Sequence, residues 1–495
     1  MSQDYNDEFI DNIKRKDSNK HLSEAEKELE KLKHYKETFM IDQNKQFIET
    51  LFKDHKSNPI KIRNVQVTNS QTFRDSFIKS QVQPLLVTDQ AISLESFLGE
   101  IESISKKFLK LGIVDNLLVS VQPVNPPSQS IFSRKKFVGS NATLHVVPIF
   151  NIIPKKKFYA KTGTNIGNGE GDGYIQFQIK NIFGGGENLE FDATSGTKTQ
   201  SSYILNYNQP ILNNANYRLE NLFYINTRKF DWIQANVTGR GMTNKIHTMF
   251  EGPINHELIL ENYWKVLNNY GSKSLEVLSQ AGSQYKSSLC YNFIYDSRNN
   301  QHLPTFGKYF QFGVEYNGLV KYVKYPFVKT AGQIQLSYTL PKIKSSIITS
   351  LKSGILYPLG PTSSVLDRFY IGGPNDVRSF MLNGLGPKDF NSSIGGDIFL
   401  NGGVSLITDI PRYPESGFKL HNFFNFGRII KMNKQQGIID NFKQLTHSHS
   451  LSYGIGILFN HPMARFELNL VVPIIAHERD SVRKGIQYGI GVSFL

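Results

Sequence analysis

Cysteine is nearly absent from this chain of 495 residues, since Cys290 is the only one. A single cysteine excludes an intramolecular disulfide and any metal site built on several thiolates. No uninterrupted apolar run reaches the roughly 18 residues of a membrane-spanning helix, so none is expected. Residues 1–20 lack the apolar core of a secretory signal, and their early acidic residues do not fit an amphipathic basic presequence. We therefore expect neither a disulfide scaffold nor a helical membrane anchor.

Positive charge predominates, with 56 Lys and Arg against 42 Asp and Glu, a formal net charge of +14. Such an excess of positive charge can indicate binding to nucleic acid or to an anionic surface. The basic residues are scattered, however, and no motif combines them with stacking aromatics, so no nucleic-acid partner is expected. The glycines at 184–186 lack the Lys-Ser/Thr of a phosphate loop. No catalytic triad or carboxylate pair stands out, and the sequence predicts no enzyme, no cofactor and no metal site.

The chain divides into three predicted parts. Residues 1–57 are highly charged and form either a helix with a partial apolar stripe or a disordered arm. Residues 58–150 read as a small α+β unit of the order β-α-α-β-β. Its predicted strands and helices cover residues 60–67, 73–81, 94–111, 114–124 and 142–149. The third part, residues 151–495, contains strand after strand with almost no helical periodicity.

The strands of the third part alternate strictly between apolar and polar residues. In one of them Phe466 and Leu468 interleave with Arg465, Glu467 and Asn469, so one face is apolar and the other carries charge. Each strand has about ten residues, which suffices to cross a bilayer obliquely. Sixteen such segments begin near residues 155, 173, 186, 199, 215, 229, 253, 282, 306, 325, 345, 395, 417, 449, 463 and 485.

Sixteen strands in one sheet favour a closed membrane barrel. An open sheet of that size leaves long edges, and a closed one is too wide for side chains to fill. The polar face therefore lines a wet interior and the apolar face needs lipid, although the mean hydropathy is only −0.33. The expected fold is mainly β: a 16-stranded antiparallel transmembrane barrel after one small α+β domain and an N-terminal arm. A soluble all-β binding protein is the alternative that alternation alone leaves open.

Residues 359–393 interrupt this pattern with a long loop rich in Gly, Pro, Phe and Tyr. Loops of this length in compact domains are usually functional or disordered. The composition favours a plug folded into the barrel, with a surface excursion as the alternative. At this loop, DRFYIGGPNDVRSFMLNGLGP resembles the signature of the BamA-type outer-membrane barrel-assembly superfamily, in which a GG…VRGF motif folds into the barrel. The matching residues are Gly372, Gly373, Val377, Arg378 and Phe380, whereas Ser379 replaces the usual glycine.

Other segments strengthen the resemblance. NIFGGGENLEFDATSGT and YKSSLCYNFIYDSRNNQHLPTFG resemble the superfamily's early and central blocks. HNFFNFGRI resembles its F-x-D-x-G partner motif through Phe423 and Gly427, with Asn425 in place of Asp. The unit over 58–150 is similar to a single POTRA domain. Together these features resemble the core barrel subunits of mitochondrial sorting and assembly machineries.

The resemblance implies a function. It implies a membrane insertase that folds β-barrel precursors into the mitochondrial outer membrane, with precursors, accessory subunits and lipid as partners and the N-terminal region in the intermembrane space. It also implies that Arg378 pins the loop to the inner wall near the partner motif. A metabolite pore or a polypeptide-transporting channel is the alternative function.

The two terminal strands are expected to form a lateral gate. The first contains Gly163, and glycine weakens a strand through backbone entropy and missing contacts. The last, QYGIGVSF, resembles the sorting signal of mitochondrial barrel precursors, with Gln487 as the polar position, Gly489 as the glycine, and Val492 and Phe494 as the apolar pair. A client strand could pair with an opened edge by β-augmentation.

Overall fold

The structure, a computed structural model, describes residues 50, 52–87, 90–124, 143–167, 170–197, 199–411, 416–461 and 465–491. The predicted arm over residues 1–57 lies almost wholly outside this part of the chain. No helix within it is long and apolar enough to cross a bilayer. Grouped by contacts, the described residues form two compact units, the first from those within 1–68, 82–106 and 117–152 and the second from those within 69–81, 107–116 and 153–495. The three-part domain division stays a prediction.

A small sheet with two helices occupies the N-terminal third. Its elements are β1 (Pro59–Ile62), β2 (Gln66–Thr68), α1 (Asp75–Val87), β3 (Ile92–Ser93), α2 (Leu94–Lys110), β4 (Val114–Pro123) and β5 (Leu144–Pro154). The strand order is β2-β5-β1-β3, with β4 also paired to β5. Residues Phe97, Ile101 and Ile104 recur at helical spacing and are buried along α2. The predicted strand over 60–67 is in fact two strands, and the two-residue β3 was not predicted.

Sixteen antiparallel strands form one large sheet. Its strands are β6 (Phe158–Gly167), β7 (Glu170–Lys180), β8 (Asn188–Gly196), β9 (Thr199–Ile211), β10 (Asn214–Phe230), β11 (Ala235–Thr248), β12 (Ile254–Asn269), β13 (Gly282–Asp296), β14 (Gly307–Asn317), β15 (Phe327–Leu340), β16 (Ser345–Pro358), β19 (Ile398–Asp409), β20 (Phe418–Ile430), β21 (Ser450–Asn460), β22 (Arg465–Ile475) and β23 (Gly485–Gly491). Each strand pairs with its neighbour in sequence, so the sheet is a continuous meander. The predicted fold class and strand number are confirmed.

Shorter elements decorate the connections of this sheet. Helix α3 (Leu275–Ser279) precedes β13, and α4 (Ile438–His447) precedes β21. Between β16 and β19 lies the long loop. Its only regular strands are β17 (Lys388–Asp389) and β18 (Ser392–Ser393), which have two residues each and pair as a short hairpin. The loop buries the apolar side chains of Val365, Ile371, Val377, Phe380, Leu385 and Ile394. The loop is therefore packed rather than extended.

The large sheet exposes its apolar side chains and buries its charged ones, the reverse of the arrangement in a soluble protein. Along β22, Phe466, Leu468 and Leu470 are 38–56% exposed, whereas Arg465 and Glu467 are at most 4% exposed. A soluble sheet would bury the apolar residues and expose the charges. The outer face therefore needs lipid, as a transmembrane sheet does.

The two terminal strands of the sheet, β6 and β23, carry its edges. In the described part of the chain each has only one hydrogen-bonded neighbour, β7 for the first and β22 for the last. The edges contain backbone N–H and C=O groups that can pair with another strand.

Candidate functional site

Two glycines shape the turn that leads into the loop tip. Gly372 and Gly373 have φ values of +107° and +126°, which side-chain-bearing residues rarely adopt. A Cβ on Gly372 would lie 3.0 Å from the carbonyl oxygen of Met381. The N–H of Gly372 donates to the carboxylate of Asp376 at 2.8 Å, and the N–H of Gly373 donates to the carbonyl of Val377 at 3.2 Å. This compact turn places Arg378 at the wall.

Arg378 is fully buried and forms a bidentate ion pair with Glu467 of β22. Its Nε and Nη2 donate to the two carboxylate oxygens at 3.0 and 3.1 Å. Its Nη1 donates to the side-chain oxygen of Asn425 at 3.2 Å, and its guanidinium lies 4.6 Å from the centre of the Phe423 ring. A planar fork with several donors suits this combination of carboxylate, amide and aromatic face.

The three residues of the partner motif share one face of β20, because Phe423, Asn425 and Gly427 are two residues apart. Gly427 makes room for the loop, since a Cβ there would come within 2.7 Å of the Cγ2 of Val377. A Cβ on Gly454 of β21 would likewise come within 2.4 Å of the Phe423 ring. Glycines in the wall thus provide the space that the loop motif and its aromatic partner need.

Glu467 and Arg465 depart from the solvated lumen charges that the alternating pattern predicts. Both are buried; Arg465 pairs with Glu467 through its Nη2, and the side-chain amide of Asn469 donates to the same carboxylate at 2.8 Å. The ring of His421 lies 4.0 Å from Glu467. The principal acceptor of Arg378 is therefore an ionised carboxylate on β22. Asn425, which replaces the Asp of the partner motif, accepts only one of the hydrogen bonds of Arg378.

The loop tip also holds the last strand of the sheet. The N–H of Ser379 donates to the side-chain oxygen of Gln487 at 3.0 Å, and the Gln487 amide donates to the carbonyl of Phe380 at 3.4 Å. Phe380 also forms an antiparallel bridge with Val482, just before β23. Gln487, predicted as the polar position of a sorting signal, is thus the side chain that forms hydrogen bonds with the backbone of the loop tip.

Gly489 lies on the same buried side of β23 as Gln487 and pairs directly with Glu467 across the strands. It therefore borders the ion pair. Val492 and Phe494 lie outside the described residues. Gly163 is on β6, apart from this cluster, where a Cβ would come within 2.8 Å of the Tyr174 hydroxyl. The structure thus brings together every described residue of the loop, partner-strand and terminal-strand motifs, and leaves Gly163 in the first strand. The roles assigned to these residues stay predictions.

Residues 181–494 match the model of the Omp85 superfamily domain. This chain belongs to the Omp85 superfamily. Its relatives include the sorting assembly machinery 50 kDa subunit of Saccharomyces cerevisiae, 30% identical over 88% of this chain and 94% of that protein. The human sorting and assembly machinery component 50 homolog is 30% identical over 70% of this chain and 75% of its own length.

A solved structure, that of BamA from Haemophilus ducreyi lacking POTRA domains 1–3, shares the fold. The TM-score is 0.69 at 14% sequence identity, with 87% of this chain and 84% of that chain covered. The likeness at this identity concerns the fold alone.

Ser379 departs from the glycine of the Omp85 motif, and the structure shows what that glycine provides. Ser379 has a φ of +75°, in the left-handed region, and this conformation costs a non-glycine residue about 1–2 kcal/mol. The Ser379 hydroxyl offsets little of this cost, because its hydrogen bond to the carbonyl of Arg483 is 3.5 Å long.

Ser379→Gly is expected to stabilise the loop tip by up to about 1 kcal/mol, since relief of the strained φ exceeds the extra backbone entropy of glycine. Urea unfolding of the protein in lipid measures the change. Ser379→Ala is the matched control, because it removes the hydroxyl and keeps the Cβ; it should not stabilise. Equal stability of the glycine variant and the original protein would contradict the strain at this position.

Proposed function

We propose that this chain is the membrane-embedded insertase of a sorting and assembly machinery, and that it folds β-barrel precursors into the mitochondrial outer membrane. The observation that carries the proposal is the contact between the loop tip and Gln487 on the last strand, which, like the first strand, has one hydrogen-bonded neighbour in the described part of the chain. The relatives at 30% identity are named as components of sorting and assembly machineries, which supports it.

The free edges supply the mechanism. An unpaired backbone group in lipid costs several kcal/mol, whereas a ladder hydrogen bond in water contributes only about 1 kcal/mol. An opened edge of β6 or β23 therefore attracts a client strand far more strongly in the membrane than it would in water. Successive client hairpins add to this edge by β-augmentation and separate as a new barrel. No covalent bond changes, and the chain acts through pairing and release.

The loop tip connects this edge to the buried ion pair. Ser379 and Phe380 bind Gln487 through their backbone, and the adjacent Arg378 binds Glu467. The position of the last strand and the docking of the tip are therefore coupled. We assign β-barrel precursors as clients, with accessory subunits and membrane lipid as partners.

Cross-linking to an arrested precursor tests the function. In a Cys290→Ser background, cysteines introduced along β6 and β23 should form disulfides with cysteines in the terminal strand of a β-barrel precursor. A cysteine at Phe312, which faces outward on β14 in the middle of the sheet, is the matched control and should not react. Cross-links at the control position only, or at no position, would contradict the insertase proposal and favour a passive pore or channel.

An even number of strands returns the chain to the side of the membrane on which it starts. We propose that residues 1–150 lie in the intermembrane space and that the loop after β16 enters from the cytosolic side. Protease added to mitochondria with intact outer membranes should leave the N-terminal region whole. Its cleavage under those conditions would reverse the assignment.

A further inference from the structure

A second buried ionic contact anchors the base of the loop. Asp367 is buried, and its carboxylate accepts two hydrogen bonds from the Nζ of Lys265 on β12, at 2.8 and 2.9 Å. The Nζ of Lys329 on β15 donates to the backbone carbonyl of Asp367 at 2.7 Å. Asp367 opens the loop segment that resembles the superfamily signature, but it is not one of the residues matched to the GG…VRGF motif. We call Asp367, Lys265 and Lys329 the base clamp.

The residues beside the base clamp hold the same stretch of loop to the same part of the wall. Arg368 donates to the carboxylate of Glu276 on α3 at 2.5 Å and to the hydroxyl of Ser363 at 2.7 Å. Val365 is buried in an apolar cluster with residues of β11, β12 and α3, namely Val237, Leu267 and Val277. The base of the loop is therefore fixed by charge and by packing together.

The tip and the base are attached to different regions of the sheet. Arg378, which we call the tip clamp together with Glu467, binds β22 through Glu467 and β20 through Asn425, and the neighbouring Ser379 binds Gln487 on β23. In the strand order, β13, β14, β15, β16 and β19 lie between β12 and β20. Only residues 368–377 connect the two clamps along the chain. The loop is thus tied at one end to the strands beside the free edge and at the other to strands far from it.

We propose that Asp367 is a positioning residue, which holds the base of the loop on β12 so that the tip clamp can restrain the last strands against outward movement. The inference rests on the proposed function in that the free edge is taken as the gate. A loop released at its base would travel with the last strands and would no longer limit their separation from β6. The two clamps act in series, and loss of either loosens the restraint on the edge.

The charges around Asp367 support this role. Burial alone would raise the pKa of its carboxyl, but Lys265, Lys286 and Lys329 outweigh burial and lower that pKa below its usual range. Asp367 is therefore ionised at neutral pH, and its contact with Lys265 is charge-assisted and correspondingly strong.

Distance measurement between spin labels tests the proposal in the full chain, in lipid nanodiscs and without a client. Labels are attached to cysteines at Tyr159 on β6 and Tyr488 on β23, both exposed on the outer face, in a Cys290→Ser background. The pair Asp367→Asn with Lys265→Met removes both charges of this ion pair and leaves the net charge of the chain unchanged. We expect the long-distance population to rise on the order of tenfold, the effect of losing about 1.4 kcal/mol of restraint.

Lys245→Met with Glu257→Gln is the matched control, since it removes a 2.9 Å ion pair between β11 and β12 that does not touch the loop. That control should leave the distances unchanged; an equal rise there would overturn the proposal, as would unchanged distances in the Asp367 pair. Adding Arg378→Met to the Asp367 pair gives the second test. Clamps in series predict no further rise, whereas additive rises show two independent contacts. Because no client is present, these outcomes are independent of the cross-linking that tests the insertase function.

Discussion

Glu467→Ala is expected to detach the loop tip from the wall at a cost of about 3–5 kcal/mol, since it leaves two buried guanidinium groups, Arg378 and Arg465, without their carboxylate. Client assembly should fall by on the order of tenfold or more, because each 1.4 kcal/mol corresponds to a factor of ten. The barrel itself should still insert, as the change removes no backbone pairing. Carbonate-resistant insertion and the rate of client assembly, measured side by side, separate the two effects.

Variants of Arg378 complete this experiment. Arg378→Ala should impair client assembly in the same way, and Arg378→Lys should restore little, because an ammonium cannot reproduce the fork that reaches Glu467 and Asn425. Glu315→Gln is the matched control, a lumen carboxylate that pairs with Lys286 away from the loop tip. Normal client assembly in the Arg378→Ala variant, or an equal loss in the control, would disprove the role of the tip clamp.

The second large effect is expected from Gly489→Glu, which should block insertion of the newly made chain. Gly489 is the direct cross-strand partner of Glu467, so the new carboxylate would lie opposite a buried one. Directly opposed like charges are destabilising even on exposed sheets, and burial increases the cost. The alternating pattern alone suggests that this position faces a wet lumen, where a charge would be tolerated. In the structure, however, Gly489 is buried rather than exposed to a wet lumen, so a charge at this position is not expected to be tolerated.

A neutral variant of the same size separates charge from shape at this position. Gly489→Gln should insert more readily than Gly489→Glu if charge repulsion dominates, and Glu467→Gln should then partly rescue Gly489→Glu. If instead a sorting signal requires a glycine for close approach, both Gly489 variants should fail equally and no rescue should occur. Import of radiolabelled chains into isolated mitochondria measures insertion of all three variants. Normal insertion of Gly489→Glu would contradict both explanations.

Alternation located the strands well, because a period of two residues persists wherever one face meets lipid. Most predicted starts lie within three residues of the observed ones. The largest deviation is the strand expected from residue 229, which begins at Ala235 because β10 continues to Phe230 and a turn follows. That stretch carries polar residues on both sides of the turn, so local periodicity does not mark the boundary.

The candidate site was only partly accessible from the sequence. The resemblance identified Arg378 and the partner motif, because these residues recur in a recognisable order. Glu467 showed only as one polar residue among many along β22, and its contact with Arg378 joins residues far apart in the chain. Asp367 stood within the recognised loop, yet nothing local distinguishes a carboxylate that finds Lys265 from one that faces water. Such partners emerge only when the loop and the wall are placed together.

Because Arg378 and Glu467 are completely buried, the strength of their attraction depends on the exclusion of water from the ion pair. Two unit charges about 4 Å apart attract by about 4 kcal/mol at an effective dielectric constant near 20 and by about 1 kcal/mol in bulk water. The first water molecules admitted when the last strands shift would therefore weaken the contact that opposes the shift. Release then reinforces itself, and the edge should switch between two discrete states rather than drift between them. Spin-label distances would show this as two separate peaks, whereas one broad peak would contradict it.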